Sequence, residues 1–122
     1  MRFLQEWSKR KKGTIIFTGA TASVKGSSGF SAFSVAKSGL RSLSQSMARE
    51  LGPKGVHVAH VVIDGAVDTP WIRENFAKMI ENAPKDAIID PKEVASAYFY
   101  LHNQGRSGWT HEMDLRPYVE KW

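Results

Sequence analysis

The sequence predicts an α/β fold built on a parallel sheet, and three stretches carry that prediction. Ile15, Ile16 and Phe17 form a short apolar run between Gly13 and Gly19, which suits a buried strand better than a helix. Ala36, Leu40, Leu43, Met47 and Leu51 then recur at spacings of three and four, one face of a helix. Val56 to Ile63, VHVAHVVI, is almost unbroken in β-branched and apolar residues, the pattern of a strand covered on both faces of a parallel sheet. Two such strands joined by a helix make a right-handed crossover.

With 122 residues and 42% hydrophobic content, the chain has material for one core, so residues 1–122 are expected to form a single domain. It contains no cysteine, which excludes disulfides and agrees with a cytoplasmic location. No stretch reaches the roughly 20 apolar residues that a bilayer span needs, so no membrane association is expected. The formal charge is +5, and part of the excess sits in Lys9-Arg10-Lys11-Lys12. These cations read as the C-terminal end of a helix begun near Phe3, with Phe3, Leu4 and Trp7 on its inner face. The cluster is short and has no interleaved aromatics, so nucleic acid is not an expected partner.

The Gly/Ser-rich stretch Thr18 to Phe33 permits tight turns. It fails as a dinucleotide phosphate loop, because Ser23 and Lys25 stand where the second and third glycines are needed. The long helix is predicted from about Ser34 to Leu51, with Gly52 as its C-terminal cap and Pro53 preventing continuation. His57 and His60 lie three apart on the second strand, hence on opposite faces, and no cysteine or carboxylate pair completes a ligand set with them, His102 or His111. They read as hydrogen-bonded strand histidines, and no metal is expected. Asp68 or Thr69 can cap a helix that starts at Pro70 and carries Ile72, Phe76, Met79 and Ile80 on one face. Asp90-Pro91-Lys92-Glu93 reads as a capping box opening a helix with Val94, Ala97, Tyr98 and Leu101 buried, and Trp109 to Leu115 as a last strand.

Phe33-Ser-Val-Ala-Lys37 followed by Ser38-Gly39-Leu40 resembles the active-site helix of the short-chain dehydrogenase/reductase family, whose pattern is Tyr-x-x-x-Lys preceded by a Ser-bearing loop. Asp64-Gly65-Ala66-Val67-Asp68-Thr69 resembles that family's Pro-Gly-x-x-x-Thr segment, with Asp64 in place of the proline. The resemblance puts Lys37 on the family lysine, Phe33 on the catalytic tyrosine and Ala20 on the serine thirteen positions earlier. It makes Lys37 a ribose contact and Gly65, Val67 and Thr69 the clamp for the nicotinamide carboxamide and phosphates. Pro70 to Asn82 falls on the substrate lid.

What the resemblance implies is a partial Rossmann-like doubly wound sheet, family strands five to seven with their helices. The glycine loop and first four strands are absent, so the expected description is a truncated member of an NAD(P)-dependent oxidoreductase family. Intact relatives would use NAD(P), and these residues alone would bind none. Protonating the oxygen left by hydride transfer needs an acid, and Phe33 has none to give; Ser23, Ser31 and Ser34 are poor substitutes even beside Lys37. Catalysis by this chain alone is therefore not expected. The alternative is a non-catalytic module that dimerises. Under either reading, the helix over 34–51 or the bare edge of the first strand would drive homo-oligomerisation.

Overall fold

The computed structural model describes residues 12–122; the helix expected around Phe3, Leu4 and Trp7 lies outside them. Strands β1 (Gly13–Ala20), β2 (Val56–Ile63) and β3 (Glu112–Leu115) form one sheet in that order, both pairings parallel. Gly13 lies opposite Val56 and Ala20 opposite Ile63, so β1 and β2 end level with each other. The helices are α1 (Ser31–Leu51), α2 (Pro70–Asn75), α3 (Ala77–Glu81) and α4 (Pro91–His102).

Two cores, one on each face, follow from the alternation of side chains along β2. Ala59, Val61 and Ile63 pack with Ile89 and Leu101 beneath α4, joined by Ile16 of β1. Val56 and Val58 pack with Met47 and Leu51 of α1, joined by Ile15 and Phe17. This is a doubly wound arrangement, and it explains why all eight residues of β2 are buried. Leu101 has no exposed surface and is among the largest side chains wholly inside.

Several boundaries differ from the sequence expectation. Helix α1 begins at Ser31, three residues early, which puts Phe33 in its first turn. Its buried face is Ser44, Met47 and Leu51; Leu43 is 43% exposed and points outward, so the expected stripe is rotated. Gly52 is the C-cap of α1 as expected but stays right-handed, and the left-handed stop is Gly55, at φ +90°, after a 3-10 turn over Gly52–Lys54. The helix expected over 70–82 breaks at Phe76, whose backbone leaves the helical region, and Phe76 and Met79 are exposed. Asp90 caps α4 by accepting from Lys92 N–H, but among the described residues Glu93 does not complete the box. The last strand is shorter than expected because side chains replace part of its ladder. His57 Nε2 donates to the Thr110 carbonyl at 2.8 Å, and His111 Nδ1 to that of Val58 at 3.0 Å.

Candidate functional site

Parallel strands deliver whatever follows them to one edge of the sheet, and in open α/β sheets that edge is where ligands sit. Both sequence-predicted groups of site residues meet this requirement. Ala20 is the last residue of β1, and its N–H donates to Ser23 Oγ at 3.0 Å, which closes a 3-10 turn over Thr21–Ser23. Phe33 is 46% exposed. Lys37 lies one helical turn later on the same side of α1, its Nζ donating to the Thr18 carbonyl at 3.0 Å and standing 5.8 Å from the centroid of the Phe33 ring. The cation is thereby fixed at the C-terminal part of β1, beside a ring that carries no hydroxyl.

The second group occupies the turn after β2. Gly65 has φ +149°, which favours glycine, and a Cβ there would sit tightly against Pro117 Cδ at 3.1 Å and Ile89 Cδ1 at 3.2 Å. Val67 forms a parallel bridge with Ile89 in which the Ala66 carbonyl accepts from Ile89 N–H and Asp68 N–H donates to Ile89 O, each at 2.8 Å. In such a bridge the N–H and C=O of Val67 itself face the other way. Thr69, rather than Asp68, caps α2, its Oγ1 accepting from Ile72 N–H at 3.2 Å; the hydroxyl proton remains available to a further acceptor. Asp68 instead forms a two-pronged ion pair with Arg73, whose hydrogen bonds hold its carboxyl below the usual range.

Asp64, which stands where the family pattern has proline, is 5% exposed and fully engaged. Thr21 Oγ1 donates to Oδ1 at 2.7 Å and Arg116 Nε to Oδ2 at 3.0 Å, while Asp64 N–H donates to the Leu115 carbonyl at 2.9 Å. Burial opposes its charge, but the Thr21 and Arg116 hydrogen bonds outweigh burial and leave its pKa below the ordinary carboxylate value. One carboxylate thus ties together the loop after β1, the turn after β2 and the segment after β3. The signal for it was an acid closing an apolar strand; its partners, forty-three and fifty-two positions away, carry no local mark.

A second charged group lies deeper. Glu112 receives both Arg41 Nη2 and Nε, at 2.8 and 2.9 Å, and His60 Nδ1 at 3.0 Å, with Arg41 chiefly responsible for holding its carboxyl below the usual range. The wholly buried His60 ring lies against Gly19, where any Cβ would strike it. Gly19 is therefore a packing requirement of His60. Among the described residues no group of acids, histidines or cysteines is arranged to hold a metal ion, and no helix is long and apolar enough to cross a membrane.

Comparison with known proteins agrees with this architecture. A family model described as Enoyl-(Acyl carrier protein) reductase matches residues 1–113. The 3-oxoacyl-acyl-carrier-protein reductase FabG of Vibrio harveyi is 31% identical over 102 residues, covering 80% of this chain and 41% of that protein. The solved structure of a short-chain dehydrogenase from Rhodopseudomonas palustris is 45% identical, with a TM-score of 0.69 over 93% of this chain and 42% of that one. A serine dehydrogenase complexed with NADP+ superposes with a TM-score of 0.85 over 99% of this chain and 50% of that one; at 18% identity it shows the fold alone. The chain belongs to the short-chain dehydrogenase/reductase family, a family of oxidoreductases. It spans about two-fifths of the length of the curated relatives it matches, 41% of the Vibrio harveyi protein.

Proposed function

We propose that these residues form the nicotinamide- and substrate-facing half of an NAD(P)-dependent oxidoreductase site, and that by themselves they are catalytically inactive. The observation that carries this reading is the placement of Lys37. Its ammonium is anchored at the Thr18 carbonyl, a helical turn from Phe33, on the same edge of the sheet from which the Gly65 to Thr69 turn departs.

The residues present suit the nicotinamide end of such a cofactor. Val67 turns one donor and one acceptor away from its bridge, the complement of a carboxamide, and Gly65 keeps that backbone clear of side chain. Thr69 keeps a proton for a phosphate oxygen, and Lys37 offers a cation to ribose hydroxyls. When bound, the cofactor supplies hydride chemistry. The chain's own part is to orient it and to wall the substrate. Neither Phe33 nor Ala20 can move a proton, so the acid step has no owner among the residues in the family positions. Cytoplasmic residence and homo-oligomerisation belong to the same reading, the latter through the outward face of α1 or the outer edge of β1.

The second reading, a non-catalytic dimerising module, is favoured by one specific observation. Val35 and Leu43 are 75% and 43% exposed on the outward side of α1, while the two working groups are replaced.

One experiment separates the two. The 122 residues alone are expected to give no saturable NADPH heat in calorimetry. Joined behind the N-terminal half of a short-chain reductase, with Phe33→Tyr, they should bind NADPH and reduce a carbonyl probe, and Lys37→Ala should abolish the activity. A folded chimera that binds NADPH no better than the chain alone would leave the module reading in possession.

A further inference from the structure

A pocket of about 260 Å³ lies between the turn after β1 and the first turn of α1. Its wall is predominantly apolar, formed by Ala22, Phe30 and Phe33, with Thr21, Lys25, Ser27 and Ser34 also lining it, and the buried Ser34 Oγ has no hydrogen-bond partner among the described residues. Phe30 and Phe33 are 57% and 46% exposed, so two aromatic side chains remain accessible to whatever enters. Pockets for drug-sized ligands begin at about 300 Å³, so this one suits a single ring or a short chain.

Among the described residues Lys25 brings the one formal charge to the lining, and the first turn of α1 carries no acid; the nearest carboxylate, Asp64, lies behind Thr21, whose hydroxyl it accepts from at 2.7 Å. Lys25 has neither a hydrogen bond nor an ion pair among the described residues. The acid whose ionisation Lys25 favours is Asp64, and both of its oxygens are already taken by Thr21 and Arg116. Lys25 therefore feels the Asp64 carboxylate only at a distance and keeps its own hydrogen-bond donors free of protein partners among the described residues, and its aliphatic stem can lie along the apolar wall while the ammonium faces water. Thr21 does not supply a competing polar contact, since its hydroxyl proton is committed to Asp64.

We propose that this pocket binds a small apolar carboxylate, a ring or short chain against Phe30 and Phe33 with its anionic end on the Lys25 ammonium. The assignment rests on the oxidoreductase reading only in calling that ligand a substrate. Phe33 is part of the reason: where a tyrosine would present a hydroxyl, this wall presents a ring that has none.

The test is calorimetric titration of the 122-residue chain with 3-phenylpropionate and with 3-phenylpropan-1-ol, which shares its ring and chain but not its charge. The acid should bind saturably and about fivefold tighter than the alcohol, the scale of an exposed charge pair. Lys25→Gln, an exposed substitution whose fold is checked by circular dichroism, should weaken the acid to the level of the alcohol and leave the alcohol unchanged. Phe30→Ala should weaken both ligands by about tenfold, since a ring contact is lost to each. Equal affinity for acid and alcohol, or no saturable binding of the acid, overturns the proposal. NADPH titration of the Phe33→Tyr chimera reads the oxidoreductase assignment separately. Acid binding without NADPH binding upholds the pocket and sinks that assignment, and NADPH binding without acid binding does the reverse.

Discussion

Every residue of β2 is buried, whereas in β1, its parallel partner of the same eight-residue length, only Gly19 is. The difference is one of position and not of composition, since the Ile15 to Phe17 run is as apolar as most of β2. β2 has a neighbour on each side and a helix on each face; β1 has β2 on one side and, among the described residues, nothing on the other. The buried strand holds the molecule together. The half-buried one carries the groups from which a site can be made, because Thr18, Ala20 and the turn beyond them remain reachable.

The largest expected effect comes from cutting into the buried side. Leu101→Ala removes a fully enclosed side chain from the core under α4 and should cost about 2–5 kcal/mol in urea denaturation. Ile15→Ala on β1 removes a half-buried one and should cost about half as much. Equal losses would break the comparison, for they would mean that the outer side of β1 is covered in solution.

A medium effect is expected where the two strands are tied together beyond their ends. Asp64→Asn keeps the shape but loses the charge that Thr21 and Arg116 address, and should cost about 1–3 kcal/mol at pH 7. Because folding lowers the Asp64 pKa, its contribution is complete above the ordinary carboxylate range and fades as pH falls through the folded value. The stability difference between wild type and Asp64→Asn should therefore shrink on acidification from pH 7 toward pH 3. A difference that stays constant over that interval would show that the carboxylate acts through shape and not through charge.

The sequence made the strands of this comparison legible because their signals are local: β-branched runs, flanking glycines, and Asp90-Pro91 opening α4. It also placed Lys37 with Phe33 and Gly65 with Thr69, since each pair lies within one turn of chain. The charged ties were not legible. Asp64 with Arg116, and Arg41 with Glu112 and His60, join residues dozens of positions apart, and which acid meets which base is decided only when β3 docks on β2. The rotation of the α1 stripe has a similar origin. Leu43 and Met47 share a helical periodicity, but only contact with Val56 and Val58 decides that Met47 turns inward.

That rotation gives the smallest expected effect on stability. Met47 is 6% exposed, so Met47→Asp should unfold the chain and says nothing about association. Leu43 is 43% exposed at the solvent-facing border of the same helix, one turn from Met47, and Leu43→Asp should leave the urea midpoint of the subunit nearly unchanged, within about 0.5 kcal/mol. If the outward face of α1 is the contact between copies, the same substitution buries a charge at that contact and should reduce the mass found by light scattering to that of one chain. An oligomer that survives Leu43→Asp would shift the contact to the outer edge of β1, which the described residues leave without a neighbouring strand. A wild-type chain that is monomeric at all concentrations would exclude both surfaces, and with them the dimerising-module reading.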